Sequence, residues 1–188
     1  MDFETYIEKT RETAVYPEDY ERDYIIHGLV NEIGELLEKV EDPNLDKDQV
    51  PVKYSHSSPK HVEEMADELG DAMWYLARIF DHFDFDVSVG WLKAKAHQDS
   101  ISHEEGQKLV KEAFVQASKI NGHQKKSVRD DVDKKDLIRA DVFGIYKKLS
   151  KASHHLGVFN LEVVMNRNLD KLFDRKERGK LKGDGDNR

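Results

Sequence analysis

The sequence predicts an all-α protein, and three observations support this fold class. Apolar residues recur at steps of three and four over several long segments, which is the spacing of one face of an α-helix. No segment alternates apolar and polar residues as a half-buried strand would. Hydrophobic residues make up 38% of the chain and charged residues 36%, a balance that thin amphipathic helices provide. At 188 residues we predict one domain spanning residues 1–188.

The first two predicted helices are separated by Pro17, which interrupts helical periodicity. Residues 1–15 contain a short apolar pattern and predict a short helix. Residues 20–40 predict a long one, whose stripe contains Ile25, Ile26, Leu29, Val30, Ile33, Leu36, Leu37 and Val40. Asp42-Pro43-Asn44 ends this helix, and residues 43–59 are interpreted as a loop because they contain two further prolines and many polar residues.

The second long helix is predicted over residues 60–83. Its main apolar face contains Val62, Met65, Leu69, Met73, Leu76, Phe80 and Phe83. Four further helices are predicted over residues 87–95, 103–121, 134–155 and 161–175. The loops between them are expected at Gly122, at the charged run 129–131 and at Gly157.

Two short acidic motifs lie inside the two long helices. Glu32 and Glu35 stand three residues apart in the first, and Glu68 and Asp71 stand three residues apart in the second. Each pair encloses a glycine, which costs about 1 kcal/mol in a helix interior relative to alanine and suggests that another group approaches closely. If the two helices pack side by side, four carboxylates converge and require a cation. The alternative is that these acids are an ordinary solvated face.

The composition narrows the chemistry of such a site. The net charge of -8 argues against a general binder of nucleic acids or of anionic membranes, since both need a cationic face. The chain has no cysteine, which excludes disulfides and thiolate metal sites. The N-terminus has no basic region followed by an apolar run, and no stretch approaches about 18 consecutive apolar residues, so we expect a cytoplasmic protein.

Carboxylates without cysteine form a hard oxygen site that suits Mg²⁺, with Mn²⁺ as a second possibility. Magnesium keeps open positions and commonly presents phosphates, so a phosphorylated small molecule is the expected substrate. A di-iron carboxylate bundle would use Glu-x-x-His on two helices, and the sequence contains no Glu-x-x-His. That kind of site is therefore disfavoured.

These motifs and their surroundings resemble the MazG-type all-α nucleoside triphosphate pyrophosphohydrolases, relatives of the dimeric dUTPases and of phosphoribosyl-ATP pyrophosphatase. The family signature is Glu-x-x-Glu on one helix and Glu-x-x-Asp on the next, as in this chain. Residues 27–29 and 70–76 look like the usual surroundings of the two motifs. The C-terminal segment from Asn168 to Arg188 is similar to the phosphate and nucleotide segment of one phage-like and bacterial branch.

The resemblance implies Mg²⁺-dependent hydrolysis of a nucleoside triphosphate to the monophosphate and pyrophosphate, serving nucleotide-pool control. It implies that the four acids hold the metal and that Glu35 or Glu68 accepts a proton from the attacking water. Substrate contacts are expected from Asn168, Lys171, Arg175, Arg178 and Lys180, whose alternative is a solvated basic tail. Trp74 and Tyr75 are candidate base-stacking residues, although aromatic residues of a packed helix more often belong to the core.

Two departures from the family pattern affect this interpretation. The separation between Glu35 and Glu68 is long, and an additional segment, about residues 91–152, separates the acids from the C-terminal tail. A weak alignment of residues 29–33 on residues 109–113 suggests a degenerate duplication with halves at about 20–95 and 103–175. Glu112 aligns with Glu32, Val115 stands in the place of Glu35, and Gly144 lies near the position of Asp71. The alternative is that two amphipathic helices align this well by chance. We therefore expect one site per chain and either a homodimer or a homo-oligomer of pseudo-dimeric chains.

Three alternatives stay open from sequence. Within the family, the substrate could be dUTP or an alarmone-like nucleotide. From another class, the chain could be a non-enzymatic helical module that binds a nucleotide or a metal. It could also be a purely structural acidic bundle, which would need no ligand.

Overall fold

The computed structural model describes residues 1–41, 60–87 and 102–181, and these ranges contain α-helices and no strand. The helices are α1 (Phe3–Thr10), α2 (Glu21–Glu41), α3 (Lys60–His82), α4 (His103–Asp130), α5 (Lys135–His155) and α6 (Leu161–Glu177). Two 3-10 turns, Arg11–Thr13 and Glu18–Tyr20, connect α1 to α2. The predicted all-α class is confirmed. The loop predicted at 43–59 and, apart from Val87, the helix predicted at 87–95 lie outside the described residues.

The four long helices α2 to α5 surround one core. α2 packs against both α3 and α4, α4 packs against α5, and α3 also contacts α5. α1 and α6 pack against α3 and against each other. The predicted apolar face of α3 is buried throughout, and so is that of α2 except for Val30 and Leu37, which are partly buried. Within the described ranges no helix is long and apolar enough to span a membrane.

The C-terminal end of the helix predicted over residues 103–121 is wrong by nine residues, because α4 continues through Gly122 to Asp130. A single glycine does not break a helix whose neighbouring residues are held by tertiary contacts. Buried Gln124 supplies such a contact by donating from Nε2 to Asp23 Oδ1 of α2 at 2.8 Å. The helix ends at Asp131, which adopts the left-handed conformation with φ of 50°.

A buried arginine joins the start of α2 to the end of α3. Arg78 donates from Nε to the Tyr16 hydroxyl at 2.9 Å, from Nη1 to Asp81 at 2.7 Å, and from Nη2 to Glu21 at 3.3 Å. Hydrogen bonds and charge from Arg11 and Arg78 hold the pKa of Asp81 below its usual value, against the effect of burial. Because the buried guanidinium is paired on several sides, this network holds α2 and α3 in one fixed alignment.

The predicted duplication relates the α2–α3 pair to the α4–α5 pair. Both pairs consist of packed neighbouring helices, as a duplication requires. The duplication itself stays a prediction, which a superposition of the two halves would test.

Two glycines of α4 provide a paired test of the helical packing. A Cβ on Gly106 would lie 2.7 Å from Leu156 Cδ2 and 3.3 Å from His155 Cβ, whereas a Cβ on Gly122 would meet nothing within 4 Å. We expect Gly106→Ala to lower the free energy of unfolding by about 1–3 kcal/mol through overpacking. Gly122→Ala should raise it by up to about 1 kcal/mol through helix propensity. Urea denaturation measures both, and a change of the same sign in the two variants would contradict this packing.

Candidate metal centre

Three of the four predicted acids converge where α2 packs against α3. Glu32 comes from α2, and Glu68 and Asp71 come from successive turns of α3. One carboxylate oxygen of each residue lies within 4.8 Å of the corresponding oxygens of the other two. Glu68 is only 9% exposed, so this cluster lies at the edge of the core rather than on an open helix face. The helical spacing of three residues places both α3 acids on one side of the helix, as the sequence predicted.

Glycines bring the neighbouring elements close to this cluster. A Cβ on Gly28 of α2 would lie 2.1 Å from Cε1 of Tyr75, so the tyrosine ring of α3 lies directly on the α2 backbone. A Cβ on Gly70 would lie 3.0 Å from Asn168 Cβ of α6. Gly34 differs, because its nearest neighbour, Phe114 of α4, lies at an ordinary contact distance of 3.4 Å. Close approach thus explains Gly28 and Gly70 but not Gly34.

Glu35 lies beside the cluster and outside it. Its side chain is exposed and its Oε1 accepts a hydrogen bond from Asn31 Nδ2 at 2.6 Å. It is absent from the group of acids whose oxygens lie within 4.8 Å of one another among the described residues. Its charge still acts on the cluster, since it contributes to the raised pKa of Glu32. The two glutamates of α2 are therefore not equivalent.

The cluster carries an excess of negative charge. Burial and, to a smaller extent, the nearby carboxylates of Asp71, Glu35 and Glu68 together raise the pKa of Glu32 to about 8, while Lys171 opposes them. A glutamate with this pKa holds a proton at neutral pH unless a cation takes its place. This excess of negative charge, together with the hard oxygen ligands, fits a divalent magnesium or manganese ion at Glu32, Glu68 and Asp71.

Helix α6 provides the polar groups that face Asp71. Asn168 Nδ2 donates to Asp71 Oδ1 at 2.7 Å, and Lys171 Nζ lies 2.7 Å from Asp71 Oδ2. Asn168 is 3% exposed and also accepts a hydrogen bond from the Tyr6 hydroxyl of α1 at 2.9 Å. Asn168 and Lys171, two of the residues that the sequence associated with substrate, therefore contact one of the acids.

The other predicted cationic residues occupy different environments. Arg175 lies one turn beyond Lys171 and is 4% exposed, so it belongs to the packed face of α6. Arg178 and Lys180 are exposed, and the Arg178 Nη2 atom lies 2.6 Å from Asp174 Oδ2. Residues 182–188 of the predicted nucleotide segment lie outside the described residues. Lys171 is thus a basic residue that contacts an acid of the cluster, through its ammonium group and Asp71.

The two aromatic candidates also differ in their environment. Trp74 is buried, donates from Nε1 to Thr13 Oγ1 at 2.9 Å and packs edge-on against Tyr16. Tyr75 is half-buried, and its hydroxyl lies 3.3 Å from that of Tyr24. Burial raises the pKa of Tyr75, and so do Tyr24, Glu32 and Asp71. Trp74 is therefore a core residue, whereas Tyr75 lies beside the acids.

Sequence reasoning missed two residues that contact the site. Tyr6 lies in the short apolar pattern of residues 1–15, and its hydroxyl contact with Asn168 joins residues 162 positions apart. Asn31 stands four residues before Glu35, which is a helical contact distance that the sequence could have revealed. No comparable local signal exists for Tyr6.

Comparisons with known proteins place the chain with a phage protein. Over 84 residues it is 33% identical to the "Gene 37 protein" of Mycobacterium phage L5, a match that covers 42% of this chain and 68% of the phage protein. No protein-family profile and no solved structure matches the chain. At this identity and coverage, the chain belongs to the same family as the gene 37 protein of Mycobacterium phage L5.

Proposed function

We propose that this protein is a magnesium-dependent hydrolase that converts a nucleoside triphosphate to the monophosphate and pyrophosphate. One observation carries the proposal: Glu32, Glu68 and Asp71 converge from two helices, where burial and the neighbouring carboxylates raise the pKa of Glu32 to about 8. The sequence resemblance to MazG-type pyrophosphohydrolases supports the choice of reaction, because its acidic signature includes these three residues.

Glu32, Glu68 and Asp71 would hold the metal, and Mn²⁺ could replace Mg²⁺ with the same ligands. The chemistry that a bound magnesium ion supplies is charge neutralisation on the phosphate oxygens and activation of a water for attack on the α-phosphorus. Glu68 is almost buried within the cluster, so its role is to bind the ion. Glu35 is exposed and adjacent, which leaves it able to accept the proton of the attacking water.

Cationic and aromatic residues around the acids would position the substrate. The Lys171 ammonium faces the cluster and is able to contact a phosphate once a metal ion neutralises Asp71. Tyr75 and Tyr24, with ring centroids 5.8 Å apart, present partly exposed rings next to the acids and offer a surface to the base. Arg178 and Lys180 are exposed and could extend the phosphate contacts.

The activity is tested by incubating the full chain with Mg²⁺ and a panel of canonical and modified nucleoside triphosphates, including dUTP, and an alarmone-like nucleotide. We expect pyrophosphate release from at least one of them. Asp71→Asn, Glu68→Gln and Glu35→Gln should each lower kcat/KM by about 100-fold or more, because each removes charge that acts on the transition state.

Glu112→Gln is the matched control, since Glu112 is the residue of α4 that aligns with Glu32. It should keep full activity, and circular dichroism should show that all variants stay helical. Unchanged activity in the three site variants would exclude this site. Tight nucleotide binding by calorimetry without release of pyrophosphate would instead favour the non-enzymatic binding module.

The raised pKa of Glu32 predicts a pH dependence of stability in the absence of divalent ions. Between the ordinary glutamate pKa of 4.5 and about 8, the folded protein holds a proton on Glu32 that the unfolded chain releases. The free energy of unfolding should therefore fall as pH rises through this window, by at most about 1.4 kcal/mol per pH unit from this group.

Chemical denaturation of Glu32→Gln should show a smaller fall over the same window, because the variant has no carboxyl there. Addition of Mg²⁺ at pH 8 should raise the melting temperature of the wild type more than that of the variant. A purely structural acidic bundle would instead give no magnesium effect on either protein.

Because Lys171 contacts Asp71, we expect removal of its charge to strengthen Mg²⁺ binding and to weaken substrate binding. Lys171→Met should tighten Mg²⁺ binding roughly fivefold, since about 1 kcal/mol of repulsion between the ammonium and the ion is removed. The same variant should raise the KM for the triphosphate, because a phosphate contact is lost. Titration calorimetry and steady-state kinetics measure the two effects.

Lys148→Met is the control for this charge removal. Lys148 is similarly half-buried, on α5, and its Nζ donates to Gln116 Oε1 at 2.7 Å. Lys148→Met should change neither the Mg²⁺ affinity nor the KM for the triphosphate. Weaker Mg²⁺ binding in Lys171→Met than in the wild type would contradict the assigned role.

A further inference from the structure

We propose that Tyr6 is a positioning residue of the metal centre, which acts through Asn168 to hold the carboxylate of Asp71. This inference rests on the proposed function, since it assigns a role within the same site. Tyr6 belongs to α1, which contributes none of the acids, so the inference gives the N-terminal helix a part in the chemistry of the α2–α3 groove.

The contacts form a continuous path across three helices. The Tyr6 hydroxyl donates to Asn168 Oδ1 at 2.9 Å, and Asn168 Nδ2 donates to Asp71 Oδ1 at 2.7 Å. Tyr6 is 0% exposed, so water cannot replace its hydroxyl. The path therefore joins α1 to α6 and α6 to α3, and it leads from buried Tyr6 and Asn168 to the partly exposed carboxylate of Asp71.

The direction of each hydrogen bond follows from the groups at the two ends. An ionised carboxylate only accepts, so Asp71 requires the NH₂ end of the Asn168 amide. The amide oxygen then points at Tyr6, and the phenol must donate. Because a buried amide oxygen without a donor is unfavourable, loss of the phenol hydroxyl favours rotation of Asn168 away from Asp71.

The backbone of α3 prevents Asn168 from adjusting in other directions. Gly70 precedes Asp71, and a Cβ at this position would lie 3.0 Å from Asn168 Cβ and 3.2 Å from Asn168 Nδ2. The Tyr6 hydroxyl also lies 3.5 Å from the Gly70 carbonyl oxygen. The asparagine thus lies in a close-fitting slot between the tyrosine and the glycine.

This arrangement distinguishes the two oxygens of Asp71. Oδ1 accepts from the asparagine, whereas Oδ2 faces the ammonium group of Lys171, which a metal ion can displace. Tyr6 therefore decides which carboxylate oxygen is presented to the ion. Groups that orient a metal ligand in this way typically change metal affinity by about 10–100-fold when they are removed.

The test uses Mn²⁺ binding to the full chain, measured by electron paramagnetic resonance without substrate. Tyr6→Phe keeps the ring and removes the hydroxyl, and it should weaken Mn²⁺ binding about tenfold or more. Tyr146→Phe is the matched control, because Tyr146 is buried in the same core and its ring also packs against Phe3. It should leave Mn²⁺ binding unchanged.

Two further variants separate positioning from general destabilisation. In an Asn168→Ala background, Tyr6→Phe should cause no additional loss of Mn²⁺ binding, because the path is already broken. Gly70→Ala crowds Asn168 from the opposite side and should weaken Mn²⁺ binding as well, which gives an independent test if Tyr6→Phe folds poorly. A merely structural tyrosine would lower the melting temperature in Tyr6→Phe and leave the affinity of the folded protein unchanged.

The outcomes distinguish this inference from the proposed function. Mn²⁺ binding by Tyr6→Phe that equals binding by the wild type overturns the role of Tyr6 and leaves the metal centre intact. Additive losses in the Asn168→Ala background also overturn it. Absence of Mn²⁺ binding in the wild type overturns the metal centre itself, and the role of Tyr6 with it.

Discussion

Close packing of α2 against α3 is the constraint on which the rest of the site depends. The Tyr75 ring lies directly on the backbone at Gly28, and the network around Arg78 fixes how the two helices align along their length. These contacts hold three carboxylates near one another whether or not their charges are compensated. Burial at the edge of the core, together with repulsion between these like charges, raises the pKa of Glu32.

Helix α6 supplies groups that offset part of the negative charge of these carboxylates. Lys171 places one positive charge against Asp71, and Asn168 adds a hydrogen bond to the other oxygen of the same carboxylate. The three converging carboxylates are hard oxygen ligands of the kind that a divalent cation prefers. The same lysine is then available to a phosphate, so the compensation and the proposed substrate contact use one side chain.

In the second pair of long helices, α4 and α5, the acidic residue has a different set of charged neighbours. Glu112 of α4, which aligns with Glu32, has Lys148 of α5 at 4.0 Å, and Lys148 also donates to Gln116. Glu112 is thus one carboxylate beside one lysine, whereas three carboxylates converge beside Lys171 in the α2–α3 pair. The asymmetry between the pairs therefore concerns the balance of charge as well as the number of acids.

Local pattern in the sequence determined the helical class, most helix boundaries, the buried faces of α2 and α3, and the acidic residues of the candidate site. These features depend on residues within a few turns of one another, where helical periodicity is sufficient. Tertiary structure decided that Glu35 lies outside the cluster, that α4 continues through Gly122, that Trp74 is a core residue, and that Tyr6 reaches Asp71 through Asn168. Each of these depends on contacts between distant segments, whose packing and burial no local pattern encodes.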